Sequence, residues 1–140
     1  MSIVNNIDLS IVIPVYNSEK NLEILINQLI VSLKKNYDRY EIILIDDESK
    51  DKSWNVIKNI CLKYDFIRGI QLRKNVGQHN AIFAGLKYTN GNFIITMDDD
   101  GQNSPEDIKL LVDKVKNGYD VSYANYKNKK HNIFRIFGSY

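Results

Sequence analysis

The sequence predicts an α/β domain built on a doubly wound, mostly parallel sheet with helices on both faces. Three observations predict it. Short β-rich runs alternate with longer helical patterns, the rhythm of βαβ units. Several of the runs are nearly continuous in Ile and Val, as strands buried on both faces of a parallel sheet should be. The chain has 140 residues and no internal repeat or linker, which is close to the commonest size for a single core.

The β-rich runs are Ser10–Val15, Glu41–Ile45, Ile67–Leu72, Phe93–Met97 and Asp120–Ala124. After the first, Leu22, Leu25, Ile26, Leu29, Ile30 and Leu33 recur at three- and four-residue spacing, which places them on one helical stripe. Trp54, Ile57, Cys61 and Tyr64 repeat the pattern after the second run. The third helical segment, residues 78–88, carries Ala81, Ile82, Phe83, Ala84 and Leu86 and leaves almost no polar face, so burial under a covering layer is expected. In the fourth, Ile108, Leu111, Val112 and Val115 form the stripe. Ser104 suits its cap, Pro105 the first helical position, Glu106 and Asp107 the positive end of the dipole, and Gly118 the stop. Near the end of the chain, Ile133, Phe134, Ile136, Phe137 and Tyr140 also fall at helical spacing. With the basic residues beside them they suit either an interfacial helix on anionic lipid or a stripe that covers the sheet. The expected organisation is a domain over residues 1–126 and a basic amphipathic tail over 127–140.

Composition narrows the function. With 44% apolar and 26% charged residues the chain is ordinary globular protein, neither disordered nor a disulfide-stapled miniprotein. A net charge of +2 is too small to imply nucleic acid as a partner, and four of the 19 basic residues lie from Lys127 onward, where there is no acid, so residues 1–126 carry −2. Cys61 has no cysteine to pair with and suits a packed helix face in a reducing compartment. No apolar run approaches the roughly 20 residues that span a bilayer, and MSIVNNIDLS lacks the layout of a signal peptide. A cytoplasmic location follows as the expectation.

Doubly wound sheets bind ligands beyond the carboxyl ends of their strands, where the winding reverses. Four strand ends carry chemistry there: Pro14, Tyr16 and Asn17; Asp46, Asp47 and Glu48; Arg73 and Asn75; and Asp98, Asp99 and Asp100. A single Asp at a strand end commonly caps a turn, and Asp46 fits that role as well as any other. Three consecutive aspartates do not. Carboxylates at i and i+2 of an extended chain share a side, and keeping both ionised in a crevice costs energy unless a proton or cation neutralises them. Mg²⁺ or Mn²⁺ takes oxygen ligands and leaves positions for phosphate oxygens, so Asp98, Asp100 and Gln102 suggest a metal platform for a diphosphate. Asp99 should then point away from it, in a solvated or helix-side role. PVYNSEKN, after the first run, has no glycine, which excludes both the dinucleotide-binding and the P-loop fingerprints. His79 and His131 stand too isolated to be metal ligands, although His79 would lie near the candidate site at a helix start.

SIVIPVYNSEKNL, EIILIDDESKDKS, RKNVGQHNAIFAGL and GNFIITMDDDGQNSPEDI, in that order, resemble family 2 glycosyltransferases of the GT-A fold over about residues 10–126. DDDGQNSPED and GQHNAIFAGL are most similar to the polyprenyl-phosphate sugar transferases. The resemblance implies a GT-A, Rossmann-like nucleotide-binding half in which Pro14, Tyr16 and Glu19 line the nucleoside pocket and Asp47 accepts a hydrogen bond from the base. It implies Asp98 near the ribose or metal, and Asp100 and Gln102 holding Mg²⁺ or Mn²⁺ on the donor diphosphate, with Asp98 and Asp100 as the catalytic pair. The implied reaction is inverting transfer of a sugar from a nucleoside diphosphate to a polyprenyl phosphate or a growing surface glycan. Further acceptor-binding segments, a cytoplasmic membrane face and peripheral lipid contact through the basic tail are implied as well. Relatives often place an arginine after the fifth strand, where this chain has Tyr126 and Lys127. Two alternatives stand beside it. Asp-x-Asp-Gly at a strand end also resembles the nucleophile loop of haloacid-dehalogenase-type phosphatases, with Asp98 as nucleophile, although Gln102 stands where a hydroxyl residue is expected. A nucleotide-binding module without turnover is the other.

Overall fold

A computed structural model describes residues 7–124 and the strand at 135–138. The elements in chain order are β1 (Ile7–Val15), α1 (Leu22–Lys34), β2 (Tyr40–Asp46), α2 (Ser53–Lys63), β3 (Ile67–Gln71), α3 (Gln78–Leu86), β4 (Gly91–Thr96), α4 (Asp107–Lys116), β5 (Val121–Ser122) and β6 (Arg135–Gly138). The sheet order is β3-β2-β1-β4-β6-β5. The first four strands in that order are parallel, and β6 runs antiparallel to both β4 and β5. The winding reverses between β1 and β4, which places the acidic ends of β2 and β4 on either side of β1, as the doubly wound expectation requires.

Alternation along β1 divides the core. Leu9, Ile11, Ile13 and Val15 face the larger cluster with α1, α2 and α4, while Val12 joins Ile43, Ile45 and Ala81 under α3. All six apolar positions of the α1 stripe are buried, and each such side chain contributes about 1.5–3 kcal/mol. Cys61 is half-buried against the same cluster, and burial raises its thiol pKa despite a hydrogen bond from Gly69. One buried polar cluster lies on the α3 side of the sheet. Buried Glu41 accepts from Ser10 Oγ at 2.6 Å, from Asn90 N at 2.6 Å and from Arg68.

Three expectations change. The apolar segment of α3 is not enclosed: Ala81 and Gly85 are buried against β1 and β2, but Phe83 remains 64% exposed, because a single layer packs on this helix among the described residues. Ser104 serves α4 through its carbonyl, which accepts from Asp107 N at 3.1 Å, so a tight turn precedes the helix and its first residue is Asp107. Residues 135–138 form a strand rather than part of a helix, pairing Phe93 with Gly138 and Thr96 with Arg135. The free edge of β4 offers unpaired N–H and C=O groups, and an added strand satisfies them. Tyr126, Lys127, His131, Ile133, Phe134 and Tyr140 lie outside the described residues. No helix among the described residues is long and apolar enough to cross a membrane.

Candidate functional site

The loops after β1, β2, β3 and β4 surround a cleft of about 480 Å³ lined by Pro14, Val15, Tyr16, Asp47, Asn75, Gly77, Gln78, Asp98, Asp99 and Asp100. Its place at the β1/β4 switch point and its size suit a small-molecule site. Each strand delivers its last residues to the rim because the parallel register keeps Val15 level with Asp46 and Asp46 level with Gln71.

The cleft therefore gathers Pro14, Tyr16, Asp47, Asp98 and Asp100, and leaves two expected residues outside. Glu19 turns toward the start of α2, where Oε2 accepts from Lys52 N at 2.8 Å and its own N–H donates to Asp51 at 3.0 Å. Gln102 lines an adjoining crevice with Asn27, Gln28 and Asn103, and its N–H donates to Asp100 Oδ1 at 2.9 Å. Asp46 is a turn residue, accepting from Ser49 N at 3.4 Å and from Gln71 Nε2 at 3.2 Å. Asp99 does not point to solvent. Its Oδ2 accepts from Tyr16 N at 3.1 Å and from Ser18 Oγ, which fastens the acidic loop to the turn after β1. β4 ends at Thr96, so strand alternation no longer governs where residues 98–100 point.

Asp47 has a use beyond the one expected of it. Only 3% exposed, it accepts from Val76 N at 2.8 Å on one oxygen and from Gly77 N at 2.9 Å on the other. Each oxygen keeps a second lone pair, so the carboxylate tethers the loop before α3 and still faces the cleft. Gly77 has φ +84°, a conformation that glycine adopts without strain. Gln78, the first residue of α3, donates to Asp98 Oδ1. Neither Gly77 nor Gln78 stands out in the sequence as a site residue. The available signal is the Val-Gly-Gln step between strand and helix, where a turn needing positive φ precedes exposed helical N–H groups.

Electrostatics favours a bound cation. Burial, with the charges of Asp100 and Asp99, pushes the Asp98 carboxyl up to about 6, and the hydrogen bond from Gln78 and the nearby His79 offset this only in part. Burial also raises Asp99 against its bonds from Ser18 and Tyr16. Among the described residues no three His, Cys, Asp or Glu side chains converge into a ready cage. That suits Mg²⁺ or Mn²⁺, which commonly takes one or two protein carboxylates and completes its shell with water and phosphate oxygens. Asp98 and Asp100 both line the cleft.

Comparisons with known proteins converge on one family. An undecaprenyl-phosphate 4-deoxy-4-formamido-L-arabinose transferase of Shewanella sediminis (strain HAW-EB3) is 47% identical over 136 residues, covering 96% of this chain and 41% of that protein. The enzyme of the same name from Photorhabdus laumondii is 41% identical over 127 residues, covering 90% and 39%. The chain thus spans about two fifths of the length of the curated relatives it matches. Among solved structures, the mannosyltransferase PcManGT from Pyrobaculum calidifontis, in complex with GDP-Man and Mn²⁺, has a TM-score of 0.76 at 14% identity, over 95% of this chain and 45% of that one. S. aureus TarS 1–349 in complex with UDP-GlcNAc has a TM-score of 0.68 at 24% identity, over 89% and 37%. These two likenesses are of fold, and the fold is GT-A. Residues 10–139 match the description "Glycosyl transferase family 2"; with nearly the whole chain inside that match, the protein belongs to glycosyl transferase family 2.

Proposed function

We propose that this domain holds the nucleoside-diphosphate sugar donor of a metal-dependent, inverting glycosyltransferase whose acceptor is a polyprenyl phosphate. The observation that carries the proposal is the cleft that brings Pro14, Tyr16 and Asp47 together with Asp98 and Asp100. Names of the curated relatives favour the lipid phosphate over a glycan acceptor. Family membership displaces the phosphohydrolase alternative.

In this proposal Pro14 and Tyr16 form the wall against which the nucleoside lies. Asp47 accepts from a ring N–H of the base with its remaining lone pairs. Asp98 and Asp100 hold a divalent ion, Mg²⁺ or Mn²⁺, which when bound supplies Lewis-acid neutralisation of charge on the departing diphosphate. Gln102 joins them only by turning from its crevice, and Glu19 stays with α2. A phosphate acceptor is already anionic and attacks the anomeric carbon opposite the leaving group without a general base. The basic residues from Lys127 onward suit contact with anionic lipid at the cytoplasmic membrane face.

The test is transfer. The protein is supplied with Mn²⁺, undecaprenyl phosphate in vesicles and a panel of UDP, GDP and dTDP sugars, and lipid-linked sugar is measured. Lipid-linked product from one donor is expected. Donor binding without product or nucleoside-diphosphate release would favour a binding module without turnover.

A further inference from the structure

We propose that Asp99 is a positioning residue: it closes a hydrogen-bonded ring of four loops around the cleft and so couples the metal-binding loop to the nucleoside wall. The proposal rests on the donor-site reading above. The ring can be followed from loop to loop. From the acidic loop, Asp99 Oδ2 accepts from Tyr16 N at 3.1 Å and from Ser18 Oγ in the turn after β1. That turn is stitched to the loop after β2 by Asn17 N to Ser49 Oγ at 3.0 Å and Lys50 N to Asn17 Oδ1 at 2.7 Å, and to the start of α2 by Ser18 N to Ser53 Oγ at 2.7 Å. The loop after β2 holds the one after β3 through Glu48, which accepts from Asn75 N at 2.9 Å, and through Asp47, which accepts from Val76 and Gly77. Gln78 then donates to Asp98 and returns to the acidic loop.

Backbone geometry points the same way. Each of the four loops contains one residue with positive φ: Asn17 at 53°, Glu48 at 61°, Gly77 at 84° and Gly101 at 69°. Glycine adopts this conformation freely and asparagine readily, but glutamate does so at a cost, and such geometry persists when the surroundings over-determine it. The junctions differ in redundancy. Several residues on each side join the loops after β1 and β2, whereas the bonds from Tyr16 and Ser18 converge on one oxygen atom. A single substitution at residue 99 therefore opens the ring between the turn that carries Tyr16 and the loop that carries Asp98 and Asp100. Asparagine would keep it closed, because its carbonyl oxygen can accept both bonds, while alanine would not.

The experiment compares wild type, Asp99→Asn, Asp99→Ala and Ser18→Ala by calorimetric titration with UDP and GDP in Mn²⁺, and by amide exchange of the ligand-free proteins. Expected for Asp99→Ala is about tenfold weaker nucleotide binding, together with faster exchange at Tyr16. Asp99→Asn should recover binding to within about threefold of wild type with Tyr16 still protected. Ser18→Ala, a milder change that spares the acidic loop, should fall between the two. If Asn weakens binding as much as Ala, Asp99 acts through its charge and the positioning role is refuted. Unchanged Tyr16 exchange in Asp99→Ala refutes the ring whatever the ligand result. A wild type that binds neither nucleotide while Tyr16 exchange responds as described removes the donor-site reading, and with it the functional role of the ring, but leaves the ring itself standing.

Discussion

Replacing Asp47 with asparagine separates two roles that its position allows. The side chain is 3% exposed, and its two oxygens accept from Val76 N at 2.8 Å and Gly77 N at 2.9 Å. Hydrogen bonds to a charged acceptor contribute about 1.5–3 kcal/mol each. Asparagine keeps one acceptor oxygen and turns an NH₂ toward the second donor, so one such bond is lost and a donor faces a donor. The expected cost is about 2–4 kcal/mol, within the stability of about 5–15 kcal/mol typical of a domain. Val76 and Gly77 amides should then exchange about thirtyfold faster or more, which native-state hydrogen exchange by NMR reads residue by residue, and urea unfolding should show a loss no larger than this cost. Asp47→Asn with unchanged Val76 and Gly77 exchange but lost nucleotide binding would refute the tether and leave Asp47 a base-reading residue alone.

Two further substitutions probe the frame beneath the site. Ser10, Asn90 and Arg68 hold the Glu41 carboxyl below its ordinary value of 4.5 even though burial, the largest single influence, raises it. A depressed folded pKa gives stability that is present above pH 4.5 and is lost as pH falls through the folded value. Glu41→Gln should therefore cost about 1–3 kcal/mol in urea unfolding at pH 7, with the gap to wild type closing below about pH 4.5; a gap independent of pH would contradict the assignment. Gly91→Ala would put a methyl group 2.5 Å from the backbone nitrogen of Ser10, which cannot give way as a side chain can. It should destabilise by about 1–3 kcal/mol, read as a lower Tm, and an unchanged Tm would contradict the β1–β4 register.

Periodic burial was legible from the sequence. The α1 stripe and the Ile-Val runs of β1 and β2 are core positions because a strand or helix of that period has one way to bury them. Cleft-lining residues were legible at or next to the strand ends, as at Pro14 in β1 and Asp47 one residue past β2. Beyond the strand ends the period is lost. Asp99 turns back to Ser18, 81 residues earlier, and no local spacing encodes that. Gln78 looks like an ordinary first residue of a helix until the fold sets it against Asp98, 20 residues on. Ile136 and Phe137 satisfy helical spacing, yet their pairing with Ile95 and Ile94 is a contact across some forty residues that only the open edge of β4 explains. The apolar surface of α3 reports composition; among the described residues Ala81 packs on the sheet and Phe83 stays 64% exposed.

Crystals soaked in Mn²⁺ and a nucleoside diphosphate test the central claim most directly, through the anomalous difference map at the manganese edge. The account predicts a peak about 2 Å from a carboxylate oxygen of Asp100, with Asp98 beside it and the nucleoside against Tyr16 and Asp47. A manganese peak remote from both aspartates, or nucleotide density outside this cleft, would contradict it.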